Sequence, residues 1–125
     1  MIIGIGIDAV SIPRIERFRE RHGEPGLRRV FTPDELEYCL GLARPAASLA
    51  ARFAAKEAFF KAIGTGWGLG GTWTDVSVVR DSRGRPELRI DGRAAERARS
   101  CGARRWHVSL SHTHALALAQ VMLEA

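Results

Sequence analysis

The chain opens on a run of apolar residues, and after it apolar residues recur at helical spacing. The segment MIIGIGID at 1–8 is typical of a buried strand. Gly4 and Gly6 would weaken that strand unless another group approaches it closely. Ser11, which can cap a helix, precedes the helical spacing. The pattern therefore predicts a strand over 1–8 and a short helix over 11–21.

Two further helices are predicted before the middle of the chain. Thr32, followed by proline and then Glu35, has the spacing of a capping box with proline at the first helical position. After a loop at 41–47, the alanine-rich stretch SLAARFAAKEAFFKAI predicts the longest helix, over 48–63. Gly64 is expected to end it.

The second half of the chain changes to short alternating segments separated by turns. The predicted elements are a glycine-rich loop at 64–71, a hairpin of strands 74–80 and 85–90, a helix at 92–100, and a final hairpin of strands 106–111 and 115–123. This order is not a regular alternation of strand and helix. It predicts an α+β fold over one domain, 1–125, with a mainly antiparallel sheet packed with a long helix and shorter helices.

The charge balance points to an acidic partner. The 125 residues carry a net charge of +5, which attracts nucleic acid, a membrane, an acidic protein or a phosphate ligand. Arginine enrichment from a GC-rich genome is the alternative explanation. Of the 19 basic residues only Lys56 and Lys61 are lysines, and both lie in one short segment. This clustering suggests a specific role, because lysine is a flexible point charge.

Targeting signals and extracellular chemistry are not indicated. The N-terminus lacks the pattern of a signal peptide, and the uncharged stretch 106–123 contains three histidines, which argues against a transmembrane helix. Cys39 and Cys101 are far apart and fit no metal spacing. We therefore expect a cytoplasmic protein with no membrane partner.

Two carboxylates stand out against their apolar surroundings. Asp8 ends the predicted first strand, where it would emerge at the rim of the sheet, and Glu57 lies in the helical stretch AAKEAFF. A carboxylate on an apolar face is costly unless it has a partner. Lys61, four residues on, would form an ordinary helix ion pair with Glu57. Alternatively, Asp8 and Glu57 would share Mg²⁺, which proteins hold with carboxylates and substrate phosphate oxygens.

Two other segments could bind phosphate. Lys61 precedes the glycine-rich loop 64–71, whose bare N–H groups would suit a phosphate, although a flexible loop is the alternative. A dinucleotide-binding loop is excluded because these glycines follow a helix and not a strand. In the turn VSLSHTH, His112 and Ser111 would hold a phosphate, or His112 would move a proton near neutral pH. A solvated turn histidine is again the alternative.

A basic stripe is predicted on the first helix. Arg14, Phe18 and Arg21 have helical spacing and can lie on one face. Such a face is either simply solvated or docks an acidic helix of a partner. Nucleic acid is disfavoured as that partner, since no known nucleic-acid motif is present and aromatic residues make up only 7% of the chain.

Together these segments resemble one family. The stretches GIGIDAVSIPRIERF, FTPDELEYC, ARFAAKEAFFKAIGTG, DSRGRPEL and WHVSLSHTHALALAQVML cover nearly the whole chain. In this order they are similar to the holo-(acyl-carrier-protein) synthases, the short trimeric 4′-phosphopantetheinyl transferases. The resemblance implies transfer of 4′-phosphopantetheine from coenzyme A to a serine of an apo acyl carrier protein, with adenosine 3′,5′-bisphosphate released. It also implies a homotrimer with active sites at the subunit interfaces.

The resemblance also assigns roles to residues. It implies Asp8 and Glu57 as Mg²⁺ ligands and Glu57, Lys61 and His112 as catalytic residues. The implied coenzyme A-binding residues are Lys61, Gly64, Thr65, Gly66, Ser111 and His112, and the implied carrier-docking residues are Arg14, Phe18 and Arg21. Thr113 stands where some relatives have an acidic residue. The general base is therefore left open among Glu57, a water at the metal site and His112.

Two other functions remain as hypotheses from the sequence. A non-catalytic basic module would use only the arginine face to bind RNA or an acidic protein, and its binding would be salt-sensitive without needing Mg²⁺. A small Mg²⁺-dependent pyrophosphohydrolase would use the same carboxylates, with water in place of the carrier serine.

Overall fold

Four helices and five strands make up the part of the chain that the computed structural model describes, residues 1–65 and 70–125. In chain order they are β1 (Ile2–Ser11), α1 (Ile12–Val30), α2 (Pro33–Leu40), α3 (Pro45–Ile63), β2 (Val76–Arg80), β3 (Pro86–Ile90), α4 (Gly92–Ser100), β4 (Arg105–His112) and β5 (Leu116–Glu124), with a 3-10 turn at Trp73–Asp75 before β2.

All strand pairs are antiparallel, as predicted. One sheet has the order β1–β5–β4, and β2 pairs with β3 in a separate hairpin. The long helix α3 packs on the first sheet, where it contacts β1 and β5 most extensively. It supplies much of the core, including Leu49, Phe59 and Phe60. The predicted α+β class, with one long helix packed on a mainly antiparallel sheet, is confirmed.

Close contact between β1 and α3 explains the two glycines of the first strand. A Cβ atom at Gly6 would lie 1.8 Å from the Ala58 carbonyl oxygen, and one at Gly4 would lie 2.3 Å from that of Ala62. No side chain fits at these distances, so the strand lies directly against the helix backbone. This contact brings Asp8, two residues further along β1, next to the C-terminal half of α3.

We expect Gly6→Ala to destabilise the protein by about 3 kcal/mol, the upper end of the usual cost of overpacking, because the added methyl meets backbone and not a movable side chain. Gly41→Ala is the matched control, since a Cβ there meets no atom closer than 3.5 Å. Urea unfolding measures both variants. An equal, small loss for the two would contradict the close approach of β1 to α3.

The structure corrects two boundaries near the site. The helix predicted over 11–21 runs to Val30 as α1, with a kink at Gly23 (φ 59°, ψ −159°) that separates two helical segments. Strand β1 does not end at Asp8 but continues to Ser11, because β5 pairs with it as far as Leu116. Asp8 therefore lies within the edge strand β1, paired with Ala119 of β5, and not at the end of the strand.

Two smaller differences have local causes. Helix α3 begins before 48, because Pro45 occupies its first turn, a position where the missing N–H of proline costs nothing. The predicted strand 74–80 is shortened at its start by the 3-10 turn Trp73–Asp75, in which the Asp75 carboxylate accepts a hydrogen bond from the Thr72 N–H.

A buried ion pair joins α2, α3 and β2. The Nζ of Lys56 lies 2.6 Å from Glu35 Oε1, and both side chains are essentially inaccessible to solvent. Lys56 Nζ also donates to the carbonyl oxygens of Trp73 and Val76, while Glu35 Oε2 accepts from the Val78 N–H. Sequence reasoning identified Glu35 only as a helix cap. Its second role fixes the turn before β2 against α3.

Across residues 1–65 and 70–125, none of the helices combines the length and the apolar character needed to cross a bilayer.

Candidate active site

The structure brings the two predicted carboxylates and Lys61 together. Asp8 comes from β1, and Glu57 and Lys61 lie one turn apart on α3, which packs on that strand. Lys61 Nζ donates to Asp8 Oδ1 at 2.9 Å and to the carbonyl oxygen of Ile7 at 3.0 Å. Lys61 therefore pairs with Asp8 on the strand. The ordinary helix ion pair would instead have joined Lys61 to Glu57 on its own helix.

Asp8 lies near enough to Glu57 to act on it electrostatically. Burial raises the pKa of Glu57, and the negative charge of Asp8 raises it further. The positive charges of Lys61 and Arg14 lower the pKa but do not cancel these two effects. A half-buried carboxylate beside a second one is a position that favours a cation.

The donor chemistry of this pair fits Mg²⁺. Two carboxylates supply hard oxygen ligands, and the remaining octahedral positions suit water and phosphate oxygens. In the described residues no group of three or more His, Cys, Asp and Glu side chains could hold a metal by itself.

Helix α3 ends beside this cluster. Gly64 ends it in the left-handed conformation (φ 77°), and a Cβ built there would meet no atom of residues 1–65 and 70–125 within 4 Å. The hydroxyl of Thr65 is buried, and within the described part of the chain it has no hydrogen-bond partner. The third residue predicted here, Gly66, lies outside the described residues.

The SLSH turn lies in a different place from the carboxylates. Ser111 and His112 line a cavity of about 730 Å³, together with Tyr38 and Ser48 from α2 and α3 and the arginines Arg44, Arg52 and Arg80. His112 is exposed, and its Nδ1 lies 3.2 Å from the Thr113 carbonyl oxygen. Asp8, Glu57 and Lys61 do not line this cavity. Within one chain the structure does not bring His112 to the carboxylate pair.

Sequence reasoning missed the three arginines of this cavity. Arg44 is the N-cap residue at the start of α3 and Arg52 lies within that helix, whereas Arg80 ends β2, and only the fold brings Arg80 to the other two. Arg52 had one usable signal in the sequence, since it interrupts the alanine-rich stretch of α3. In the structure its side chain is only 2% exposed. A charge in such a stretch is costly without a partner, which is the argument that identified Glu57.

The predicted docking stripe begins beside the carboxylates. Arg14 and Phe18 line a smaller cavity of about 200 Å³, whose other walls include Ile15 and Phe53. Arg21 is exposed further along α1. Because Arg14 acts electrostatically on Glu57, the basic face of α1 reaches the candidate active site.

Comparison with known proteins identifies the family of this chain. Residues 4–119 match the family model described as the 4′-phosphopantetheinyl transferase superfamily. The chain is 49% identical to the holo-[acyl-carrier-protein] synthase of Koribacter versatilis, with 99% of both chains covered, and 50% identical to that of Trichlorobacter lovleyi, with 100% of this chain and 99% of the relative covered.

Solved structures give the same result. The holo-[acyl-carrier-protein] synthase of Neisseria meningitidis superposes with a TM-score of 0.91 at 36% identity, with both chains fully covered. The Bacillus anthracis synthase, solved in complex with CoA (3′,5′-ADP), superposes with a TM-score of 0.82 at 38% identity, with 100% of this chain and 98% of that chain covered.

The fold, the carboxylate pair and these comparisons define the class of protein. The chain belongs to the 4′-phosphopantetheinyl transferase superfamily, and within it to the group of the holo-[acyl-carrier-protein] synthases. The family resemblance and the enzyme class predicted from the sequence are thereby confirmed.

Proposed function

We propose that the protein transfers 4′-phosphopantetheine from coenzyme A to a serine of an apo acyl carrier protein, dependent on Mg²⁺, and releases adenosine 3′,5′-bisphosphate. The cluster of Asp8, Glu57 and Lys61 carries the proposal, because it places two hard ligands and a cation at one point. The names of the relatives and the coenzyme A complex of the Bacillus anthracis synthase support the same reaction.

The residues of this cluster have distinct tasks in the transfer. The serine oxygen forms a bond to the β-phosphorus of coenzyme A, and the bond from that phosphorus to the bridging oxygen of the pyrophosphate breaks. Asp8 and Glu57 would hold Mg²⁺, which when bound neutralises charge on the phosphates. Lys61 adds a fixed positive charge for the leaving bisphosphate. Glu57 takes the serine proton, directly or through water.

The basic cavity at the SLSH turn suits the other phosphate of coenzyme A. The reacting pyrophosphate must lie at Lys61 and Glu57, so a second cationic site is available for the phosphate on the ribose. Arg44, Arg52 and Arg80 line the cavity, and His112 and Ser111 add polar groups. In this proposal Ser111 and His112 bind the nucleotide end, together with Lys61, Gly64, Thr65 and Gly66 at the pyrophosphate end. In this proposal His112 is a binding group, and Glu57 is the general base.

A homotrimer would join the two halves of the site. The carboxylates and the basic cavity lie apart in one chain, so a neighbouring subunit would supply the cavity that faces each carboxylate pair. The outer face of β1 supports assembly, because Ile5 and Ile7 are 55% and 58% exposed, and Ile3 and Leu116 are exposed as well. Contiguous apolar surface of this kind marks protein–protein contact.

The acceptor is proposed to be an acidic carrier, held by Arg14, Phe18 and Arg21 on α1. We expect Arg21→Glu to raise the KM for the carrier about tenfold with little change in the KM for coenzyme A, because a like charge would then face the acidic carrier. Arg97→Glu on α4 is the matched control with the same change in charge. Equal carrier KM values for the two variants would show that α1 is not the docking face.

The same proposal sets the cellular context. Carrier proteins of this kind serve fatty acid and lipid biosynthesis, so we place the enzyme in the cytoplasm, without a nucleic-acid or membrane partner. This context also distinguishes the transferase from an RNA-binding module, which would leave Asp8, Glu57 and Lys61 without a task.

An intact-mass assay tests the reaction. The protein is mixed with coenzyme A, Mg²⁺ and apo acyl carrier protein, and EDTA replaces Mg²⁺ in the control. We expect the carrier to gain the mass of one phosphopantetheine group, and the gain to disappear with EDTA. Cleavage of coenzyme A without any carrier would favour the pyrophosphohydrolase, and salt-sensitive RNA binding without coenzyme A binding would favour the basic module.

A further inference from the structure

Two guanidinium groups of the basic cavity lie against the same aromatic ring. The central carbon of Arg52 is 4.7 Å from the centre of the Tyr38 ring, and that of Arg80 is 5.0 Å from it. All three side chains line the cavity. Cations at these distances over a ring are attracted by its quadrupole. One tyrosine therefore contacts two of the three arginines that would meet a phosphate.

Arg52 is held with unused hydrogen-bonding capacity. Its Nη1 donates to Ser48 Oγ at 2.6 Å, and that hydroxyl lies 3.1 Å from Cys39 Sγ. The Nε of Arg52 is buried and, within the described part of the chain, has no hydrogen-bond partner. A buried cation with an unused donor is costly by itself, and a bound anion would relieve that cost.

Neither cation is neutralised by a carboxylate. Among the ion pairs formed by residues 1–65 and 70–125, none involves Arg52 or Arg80. Arg80 instead donates to the carbonyl oxygen of Gly84. Within the described residues, the Tyr38 ring is thus a partner that both guanidinium groups share.

We propose that Tyr38 is a positioning residue for phosphate recognition: its ring orients Arg52 and Arg80 in the cavity so that they bind the ribose phosphate of coenzyme A. The inference rests on the proposed function, because that function supplies the ligand. Tyr38 itself is 39% exposed and is not part of the core, so its replacement is compatible with folding.

The test compares Tyr38→Leu, which removes the ring, with Tyr38→Phe, which keeps it. We expect Tyr38→Leu to raise the KM for coenzyme A about tenfold, from the loss of two cation–π contacts, with kcat within about twofold of the wild type. Tyr38→Phe should stay within about threefold on both constants. Glu37→Leu is the control, because Glu37 is exposed on the same helix and does not line the cavity, and it should leave both constants unchanged.

A second substrate separates positioning from general disruption. With 3′-dephospho-coenzyme A, which lacks the ribose phosphate, the wild type, Tyr38→Leu and Tyr38→Phe should have the same KM. An unchanged KM for coenzyme A in Tyr38→Leu, or an equal rise with the dephospho substrate, would overturn the inference. If Tyr38→Leu does not fold by circular dichroism, Tyr38→Gln replaces it under the same criteria.

Calorimetry with adenosine 3′,5′-bisphosphate keeps this inference separate from the proposed function. Absence of carrier modification by the wild type would refute the proposed function alone. The bisphosphate would then decide the inference: weaker binding to Tyr38→Leu than to Tyr38→Phe supports it, and equal binding to the two refutes it.

Discussion

Lys56→Met is expected to lower the free energy of unfolding by about 3–5 kcal/mol, the usual cost of removing one partner from a buried ion pair. The substitution leaves the Glu35 carboxylate inaccessible to solvent without its counter-ion. It also removes the donor from the carbonyl oxygens of Trp73 and Val76. Methionine fills most of the volume, so the loss reports charge and hydrogen bonding and not a cavity.

Urea unfolding measures the free energy of unfolding of Lys56→Met against that of Lys61→Met. The two lysines lie on the same helix, but Lys61 is 53% exposed and its pair with Asp8 faces solvent. Lys61→Met should therefore cost no more than about 1 kcal/mol. The double variant Glu35→Gln/Lys56→Met should recover part of the loss, because no charge is then left buried. A loss for Lys56→Met as small as that for Lys61→Met would show that Lys56 and Glu35 do not form a buried ion pair.

This ion pair also shows where sequence reasoning ends. The capping box of Thr32 and Glu35 depends on residues three apart, so it was predictable, and both of its hydrogen bonds are present. The partner Lys56 is 21 residues away from Glu35. Burial of Lys56 depends on how β2 packs against α3, and no local pattern carries that information.

The candidate site divides in the same way. Asp8, Glu57 and Lys61 were predicted because each is conspicuous in an apolar or alanine-rich stretch, and the fold brings all three together. The sequence did not identify Asp8 as the partner of Lys61, because that pair depends on the contact of α3 with β1. The arginine cavity joins α3 to the end of β2 and to the SLSH turn, and apart from Arg52 its arginines are unremarkable in so arginine-rich a chain.

Glu57→Gln is expected to reduce carrier modification about 10²–10⁴-fold, the usual contribution of a general base, because the amide neither accepts a proton nor keeps the charge that binds Mg²⁺. Glu37→Gln, an exposed change on α2, is the matched control and should leave the rate unchanged. Titration with Mn²⁺, followed by its electron paramagnetic resonance signal, should show weaker metal binding to Glu57→Gln. A wild-type rate in the presence of Mg²⁺ would refute both roles of Glu57.

The same substitution should make the protein more stable. The pKa of Glu57 is raised in the folded state by burial and by Asp8, so folding favours the protonated form, and the ionised side chain costs stability at neutral pH. Glutamine removes that cost, so the melting temperature of Glu57→Gln at pH 7 should exceed that of the wild type. The advantage should shrink as the pH falls through the raised pKa, because the wild-type side chain then becomes neutral too. A carboxylate that lowers stability and is needed for turnover is retained for function. Equal melting temperatures at pH 7 would mean that Asp8 and burial impose no net cost on Glu57.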